Sequence, residues 1–154
     1  MPKHLSIAFS LLASALILVA CSNDAQDTHP QQLVSKRQAI FKKMTKTLEP
    51  MGLVARERKD YNKLEFQENA LALQELASQP WALFTTDGNY PPTRAKPEVW
   101  QKAVDFKSAQ DNYLASVEQL VKISGNADLN AIRDAVNGVE KSCKSCHDQF
   151  RNER

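Results

Sequence analysis

Glycine is scarce in this chain, with four in 154 residues. Long stretches rich in Ala, Leu, Lys, Glu and Gln break only at prolines, so the scarcity favours helix over sheet. An excess of one charge is also missing. The formal balance of +2 includes Lys3, which lies in a leader-like segment, and nothing recommends a nucleic-acid surface. There is no internal repeat, no low-complexity tract and no constellation of nucleophile, acid and base, which argues against an enzyme. What is present, 42% hydrophobic and 25% charged residues, suits one globular domain long enough to bury a core.

Cysteine and histidine are rarer still, at three each. Chance therefore explains poorly why two of one and one of the other fall together in Cys143-Lys144-Ser145-Cys146-His147. Cysteines three apart share a helical face, and each can form a thioether with a porphyrin vinyl group. The histidine directly after them can reach the iron as its axial base. A thioredoxin-like redox pair would need a βαβ pattern and a structural zinc site a fourth strong ligand, and neither is found. The expectation is one covalent haem c per chain, attached through Cys143 and Cys146, with His147 as the metal ligand. Its two propionates would bring the mature chain near neutrality.

Residues 1–20 open with Lys3 and His4 and continue as the apolar run Leu5 to Ala20, the pattern of a signal peptide. As a permanent span the run would be short and would lack a stop-transfer flank. It ends in Leu18-Val19-Ala20-Cys21, which resembles a bacterial lipobox; Leu18 does not suit the small-x-small site of ordinary cleavage. Acylation of Cys21 is therefore expected, and several acyl chains would hold the protein on a membrane where one would be marginal. Ser22 rather than Asp after Cys21 points, by resemblance to enteric sorting, to the outer membrane. Export suits the haem, because c-type attachment resembles a periplasmic process. Residues 21–30, small and polar, read as the lipidated terminus and a tether.

From residue 31 onward the chain reads as four helices. Leu33, Ile40, Phe41, Met44, Leu48 and Met51 form the apolar stripe of the first, up to about Arg58, with a kink or stop near Pro50 and Gly52. Arg37 lies on that stripe. Buried there it needs an anion such as a haem propionate, unless it snorkels to solvent. The second helix spans about Tyr61 to Ser78, with Phe66, Ala70, Leu73 and Ala77 inward, and Pro80 stops it. Residues 80–97 carry four prolines with Trp81, Phe84 and Tyr90; the aromatics could cover a haem edge or plug the end of a bundle. A third helix starts at Pro97 with the seam Trp100, Ala103, Phe106, Gln110, Tyr113, Val117 and Leu120, and ends at Gly125 and Asn126. The last opens near Asp128, and Leu129, Ile132, Val136, Val139, Cys143, Cys146 and Phe150 step by three and four. Both attachment cysteines thus lie on a core seam, so the haem belongs inside the bundle, near its C-terminal helix.

Four separated stretches carry a resemblance: Lys36-Arg37-Gln38, Pro80-Trp81-Ala82-Leu83-Phe84, Ala95-Lys96-Pro97-Glu98-Val99-Trp100 and Cys143-Lys144-Ser145-Cys146-His147-Asp148-Gln149-Phe150-Arg151. Together they make the chain resemble the cytochromes c prime over about residues 31–152. The resemblance implies an all-α fold, an antiparallel four-helix bundle over 31–154. It implies His147 as proximal ligand, Arg151 beside the proximal pocket, Arg37 near a propionate and Phe41 facing an empty sixth site. The iron would then be five-coordinate and high-spin, would bind NO and CO, and the chain could pair as a homodimer through its first two helices. The lipobox departs from the familiar soluble members.

Two functions compete on these grounds: a gas-binding haem protein, and a membrane-tethered electron carrier with Met44 as sixth ligand and an unidentified redox partner. A structural lipoprotein is the third reading. No histidine competes for the sixth site, since His4 lies in the leader and His29 in the tether. Haem should survive denaturing electrophoresis and stain in the gel, and a Cys143→Ala, Cys146→Ala double variant should lose that stain.

Overall fold

Phe66, Ala70, Leu73 and Ala77 are all buried, at the three- and four-residue steps that turn one face of a helix inward. They belong to the second of five α-helices in the computed structural model, which describes residues 25–125 and 128–153. These are α1 (Leu33–Ala55), α2 (Lys63–Ala77), α3 (Glu98–Gln101), α4 (Ala103–Ile123) and α5 (Leu129–Phe150). α1 packs on α2 and α5, and α4 packs on the same two, so the four long helices close into a four-helix bundle. The expected signal peptide, residues 1–20, and Cys21 lie outside the described residues. No described helix is long and apolar enough to cross a membrane.

The core follows the seams. Met44, Met51 and Ala55 from α1 meet the α2 stripe, Tyr113, Val117 and Leu120 from α4, and Ile132, Val136 and Val139 from α5. α2 starts where the Asn62 side chain accepts from the Glu65 amide at 3.1 Å, and α5 where Asp128 accepts from Asn130 and Ala131.

Four sequence expectations need correction. α1 runs through Pro50 and Gly52 to Ala55. Pro50 leaves only the carbonyl of the exposed Lys46 without an N–H donor, and water can satisfy it. Gly52 is used for close approach, since a Cβ there would lie 2.9 Å from Glu140 Oε1, the carboxylate that pairs with Arg56. The helix stops at Glu57 instead, which takes φ 57° while Arg58 N–H donates to Leu53 O and Glu57 N–H to Val54 O, a Schellman end without its usual glycine. Arg133 of α5 holds it there, donating to Ala55 O and pairing with Glu57.

The third helix is divided. α3 ends at Gln101, and Ala103, the first residue of α4, is exposed, not on a seam. The Trp100 indole donates to Phe84 O and Thr85 O, which ties α3 to the crossover loop, and Lys102 between α3 and α4 leaves the helical conformation with φ −116° and ψ 53°. Leu129 is exposed too, at the first residue of α5 and ahead of the first buried turn. The crossover itself holds two 3-10 turns, Trp81–Leu83 and Thr86–Gly88.

The tether is shorter than residues 21–30. Asp27 is only 7% exposed. Its carboxylate accepts from Ser35 N–H at 2.9 Å, His29 N–H at 3.1 Å and the Tyr90 hydroxyl at 3.2 Å. Val34 N–H donates to the same Tyr90 oxygen, and the His29 ring stacks on Tyr90 at 4.2 Å. Two orphan amides of the first turn of α1 are thereby capped from residues 8 and 56 positions away. Burial pushes the Asp27 carboxyl up, but these hydrogen bonds outweigh it and hold it below the ordinary carboxylate value. The contribution to stability is thus present above about pH 4 and is lost as pH falls through the depressed value.

Leu120 is fully buried and Val104 is 83% exposed. Leu120→Ala should cost about 2–5 kcal/mol and Val104→Ala within about 0.5 kcal/mol, as read by chemical denaturation.

Candidate functional site

The seam of α5 changes character along its length. Ile132, Val136 and Val139 are fully buried, whereas Cys143, Cys146 and His147, on the same face one to two turns later, are only half-buried. They line a cavity of about 620 Å³ between α1, α4, α5 and the crossover loop, within the range of cofactor sites. Its floor is apolar, with Leu48, Leu73, Val99, Phe106 and Phe150.

His147 reaches this cavity from the last turn of α5. Burial, with Arg151 and Arg94 nearby, pulls its pKa down to about 4, against a smaller opposing effect of Asp148. The imidazole is therefore neutral near pH 7 and keeps a lone pair for a metal. Burial pushes the Cys143 thiol up to about 11 and raises that of Cys146. Arg151 Nη1 lies 3.4 Å from His147 Nε2. It is placed there by the end of α5 pairing with the crossover loop, as Lys96 N–H donates to Phe150 O and Asn152 N–H to Arg94 O.

α1 supplies another wall, with Phe41 and Met44. The Phe41 ring meets Trp81 and Phe84 edge-on at 6.0 and 6.2 Å. Trp81, whose indole donates to Ala77 O, and Phe84 both line the cavity, so these two loop aromatics cover it. Tyr90 does not, being engaged with Asp27. Met44 is buried, and the Tyr113 hydroxyl donates to its sulfur at 3.6 Å. Burial raises the Tyr113 pKa, so the hydroxyl keeps its proton.

Arg37 is 3% exposed and also lines the cavity. Instead of relying on an anion alone, it donates to Leu83 O at 2.9 Å, Gly88 O at 2.8 Å and Thr93 Oγ1 at 2.6 Å, with its guanidinium 4.6 Å from the centre of the Phe84 ring. Burial lowers its pKa, and Asp27 and Tyr90 oppose the shift. The snorkelling alternative is excluded by this burial. Carbonyl oxygens, which the helical pattern could not show, supply most of the compensation.

Every cavity residue expected from the sequence is thus brought together: Arg37, Phe41, Met44, Trp81, Cys143, Cys146, His147 and Arg151. Lys42, Lys46, Arg94, Thr93 and Tyr113 were missed. The lysines stand four apart beside the α1 stripe and could have been found from helical geometry, whereas Thr93 and Arg94 sit in a loop with no periodicity. A haem fits this donor set: two thiols and a neutral imidazole on one helix, an apolar floor for the macrocycle and a cationic rim for its carboxylates.

The family model described as Cytochrome C' matches residues 32–151. A cytochrome c' from Alcaligenes xylosoxydans xylosoxydans is 30% identical over 131 residues, covering 84% of this chain and 100% of the relative. Among solved structures, a nitric oxide complex of a variant cytochrome c prime from Alcaligenes xylosoxidans is 28% identical with a TM-score of 0.77, covering 84% of this chain and 100% of that one. A carbon monoxide-bound variant from the same organism is 28% identical with a TM-score of 0.76, covering 83% and 100%.

A Cβ on Gly88 would lie 2.7 Å from Arg37 Nη1 and 2.9 Å from Leu83 O, and the backbone oxygen cannot yield cheaply. Gly88→Ala should therefore cost about 1–3 kcal/mol by thermal denaturation. Gly138, inside α5 with nothing within 4 Å of where a Cβ would stand, is the control, and Gly138→Ala should gain about 0.5–1 kcal/mol.

Proposed function

The chain belongs to the cytochrome c prime family, which carries one covalent haem c per chain, and from that premise we propose that it binds nitric oxide and carbon monoxide at the iron of this haem. Cys143 and Cys146 would hold the macrocycle and His147 would supply the one protein ligand. Arg37 and Arg94 are the cations nearest to hand for its carboxylates on the loop side of the cavity. The haem supplies an iron able to accept a diatomic ligand.

The observation that carries the reading is the hydrogen bond from Tyr113 to Met44 Sδ. Among the described residues Met44 is the one thioether lining the cavity, and its sulfur is turned to a donor within the core. The α1 wall is then left to the Phe41 ring, which cannot ligate. This arrangement favours a five-coordinate, high-spin iron whose sixth position is closed only by a displaceable side chain. Burial of Met44 in the same cavity is what keeps the rival alive, a low-spin electron carrier with Met44 as ligand. Exchange of electrons with a redox partner is compatible with the first reading as well.

The setting follows from the leader and lipobox: a lipid anchor on Cys21 and a periplasmic membrane surface. Leu64 and Leu71, exposed on α2 at heptad spacing, support pairing of two copies through α1 and α2.

An incoming ligand must push Phe41 aside. If that displacement costs about 1.4 kcal/mol, affinity is reduced about tenfold. Phe41→Ala should bind CO about tenfold more tightly and faster, with some loss of stability from the cavity. The spectrum of the reduced wild type should be high-spin and change on CO addition. If the spectrum is low-spin and only Met44→Ala opens the iron to CO, the gas-binding reading is wrong.

A further inference from the structure

We infer that the cationic mouth of the haem cavity rests against the membrane that carries the lipid anchor, with anionic phospholipid headgroups as its counter-surface. This deepens the function proposed above and rests on acylation of Cys21. Two independent observations point to it, one of length and one of charge.

Length is set by where the chain is pinned. The Asp27 carboxylate is held by Ser35 N–H, His29 N–H and the Tyr90 hydroxyl, and Ser35 itself lines the cavity. The point at which the N-terminal segment joins the bundle is therefore on the cavity's rim. Six residue steps separate Asp27 from Cys21. At ~3.3–3.6 Å per residue they reach at most ~20–22 Å. α1 spans 23 residues, or ~34 Å at 1.5 Å per residue, and it lines the cavity from Ser35 to Leu48 before its last turns carry the chain beyond it to Ala55. An anchor on Cys21 thus holds the pinned end of the cavity within ~20–22 Å of the bilayer, while nothing of the kind holds the Ala55 end.

Charge acts in the same direction. The described residues lining the cavity include five permanent cations, Arg37, Lys42, Lys46, Arg94 and Arg151, and no Asp or Glu. Two haem propionates leave a positive surplus. Lys42 and Lys46 are exposed on the outer edge of α1, where they can meet lipid headgroups. Basic side chains near an anionic surface strengthen its binding by about fivefold each, and the attraction fades over a Debye length, ~8 Å at physiological salt. A rim of this sign next to a short tether is pulled toward anionic lipid, not merely left near it.

The test uses the full acylated, haem-loaded protein in phosphatidylcholine vesicles, with or without phosphatidylglycerol, carrying a fluorescent headgroup probe that haem quenches over short distances. Quenching should be strong, and stronger with phosphatidylglycerol. It should fall at least several-fold when a flexible Gly/Ser insert of about 15 residues, which adds roughly 22 Å of coil, is placed between Ser22 and Ala25. Asp27→Ala with Tyr90→Phe, which releases the staple, should lower it in the same direction. Lys42→Glu with Lys46→Glu should abolish the gain from phosphatidylglycerol. A helical far-ultraviolet circular dichroism spectrum with a cooperative thermal transition shows that each variant is folded. Mass spectrometry and co-sedimentation separate the two possible failures. An unacylated terminus on protein left in the supernatant overturns the anchor, and this orientation with it. Acylated, vesicle-bound protein whose quenching ignores the insert, the staple and lipid charge overturns the orientation alone, and leaves the cationic rim to an acidic protein partner.

Discussion

One half of the bundle opens into a cavity of about 620 Å³, where a protein interior otherwise packs to the density of an organic crystal. That space is the constraint on which the structure depends. One end of the bundle, around Met51, Ala55, Leu120, Ile132 and Val136, is an ordinary dry core. At the other end the α5 seam continues in phase but its side chains shorten to Cys143 and Cys146, and α1 and the crossover loop stand off from it. A covalent group completes that half of the core. The stability of the holoprotein is consequently tied to the group, since the apolar floor of Leu48, Leu73, Val99, Phe106 and Phe150 loses its packing partner without it.

Standing the crossover loop off from α5 requires something rigid beneath it, and Arg37 provides this. A guanidinium has five donors in a fixed plane. Here they reach three oxygens on residues 83, 88 and 93 from a single helix position, with Phe84 stacked on the face. The loop is thereby shaped around a residue that itself lines the cavity. Asp27 and Tyr90 stand behind it and oppose the cost of burying its charge. The N-terminal staple, the loop and the cavity wall form one polar network, so a change at any of the three is felt at the others.

The sequence made the periodic parts legible. The α2 stripe and the α5 seam, cysteines included, follow from three-and-four spacing, and the attachment motif stands out because its residue types are rare. Legibility failed where a partner is distant or a local rule is overridden. Pro50 reads as a stop, yet a proline in a helix costs little when the carbonyl it orphans faces water, and Glu57 reads as an ordinary surface residue although it ends α1 with φ 57°. Asp27 looks like linker because its partners, Ser35 and Tyr90, are not near it in any pattern. The break at Lys102 has the same origin, since Trp100 obeys the loop it donates to rather than the seam it was assigned.

Arg37 and Met44 show how the two kinds of residue divide the work at the site. Both lie on the inward stripe of α1, and each carries a group that would be disruptive if left to itself, a charge in one case and a potential iron ligand in the other. Each is engaged by a donor–acceptor pair from another element: loop carbonyls accept from Arg37, and Tyr113 of α4 donates to Met44. A thioether is a weak acceptor, so the second pair is worth little energy by itself. Its effect is directional. A ligand exchange that must first break a hydrogen bond, leave a buried hydroxyl unsatisfied and move a packed side chain faces the sum of those costs. The Phe41 ring asks only for its own displacement. On the proposed reading, an open sixth site would therefore reflect a difference between two small penalties on one helix, set by which side chain α4 holds and which it leaves to move.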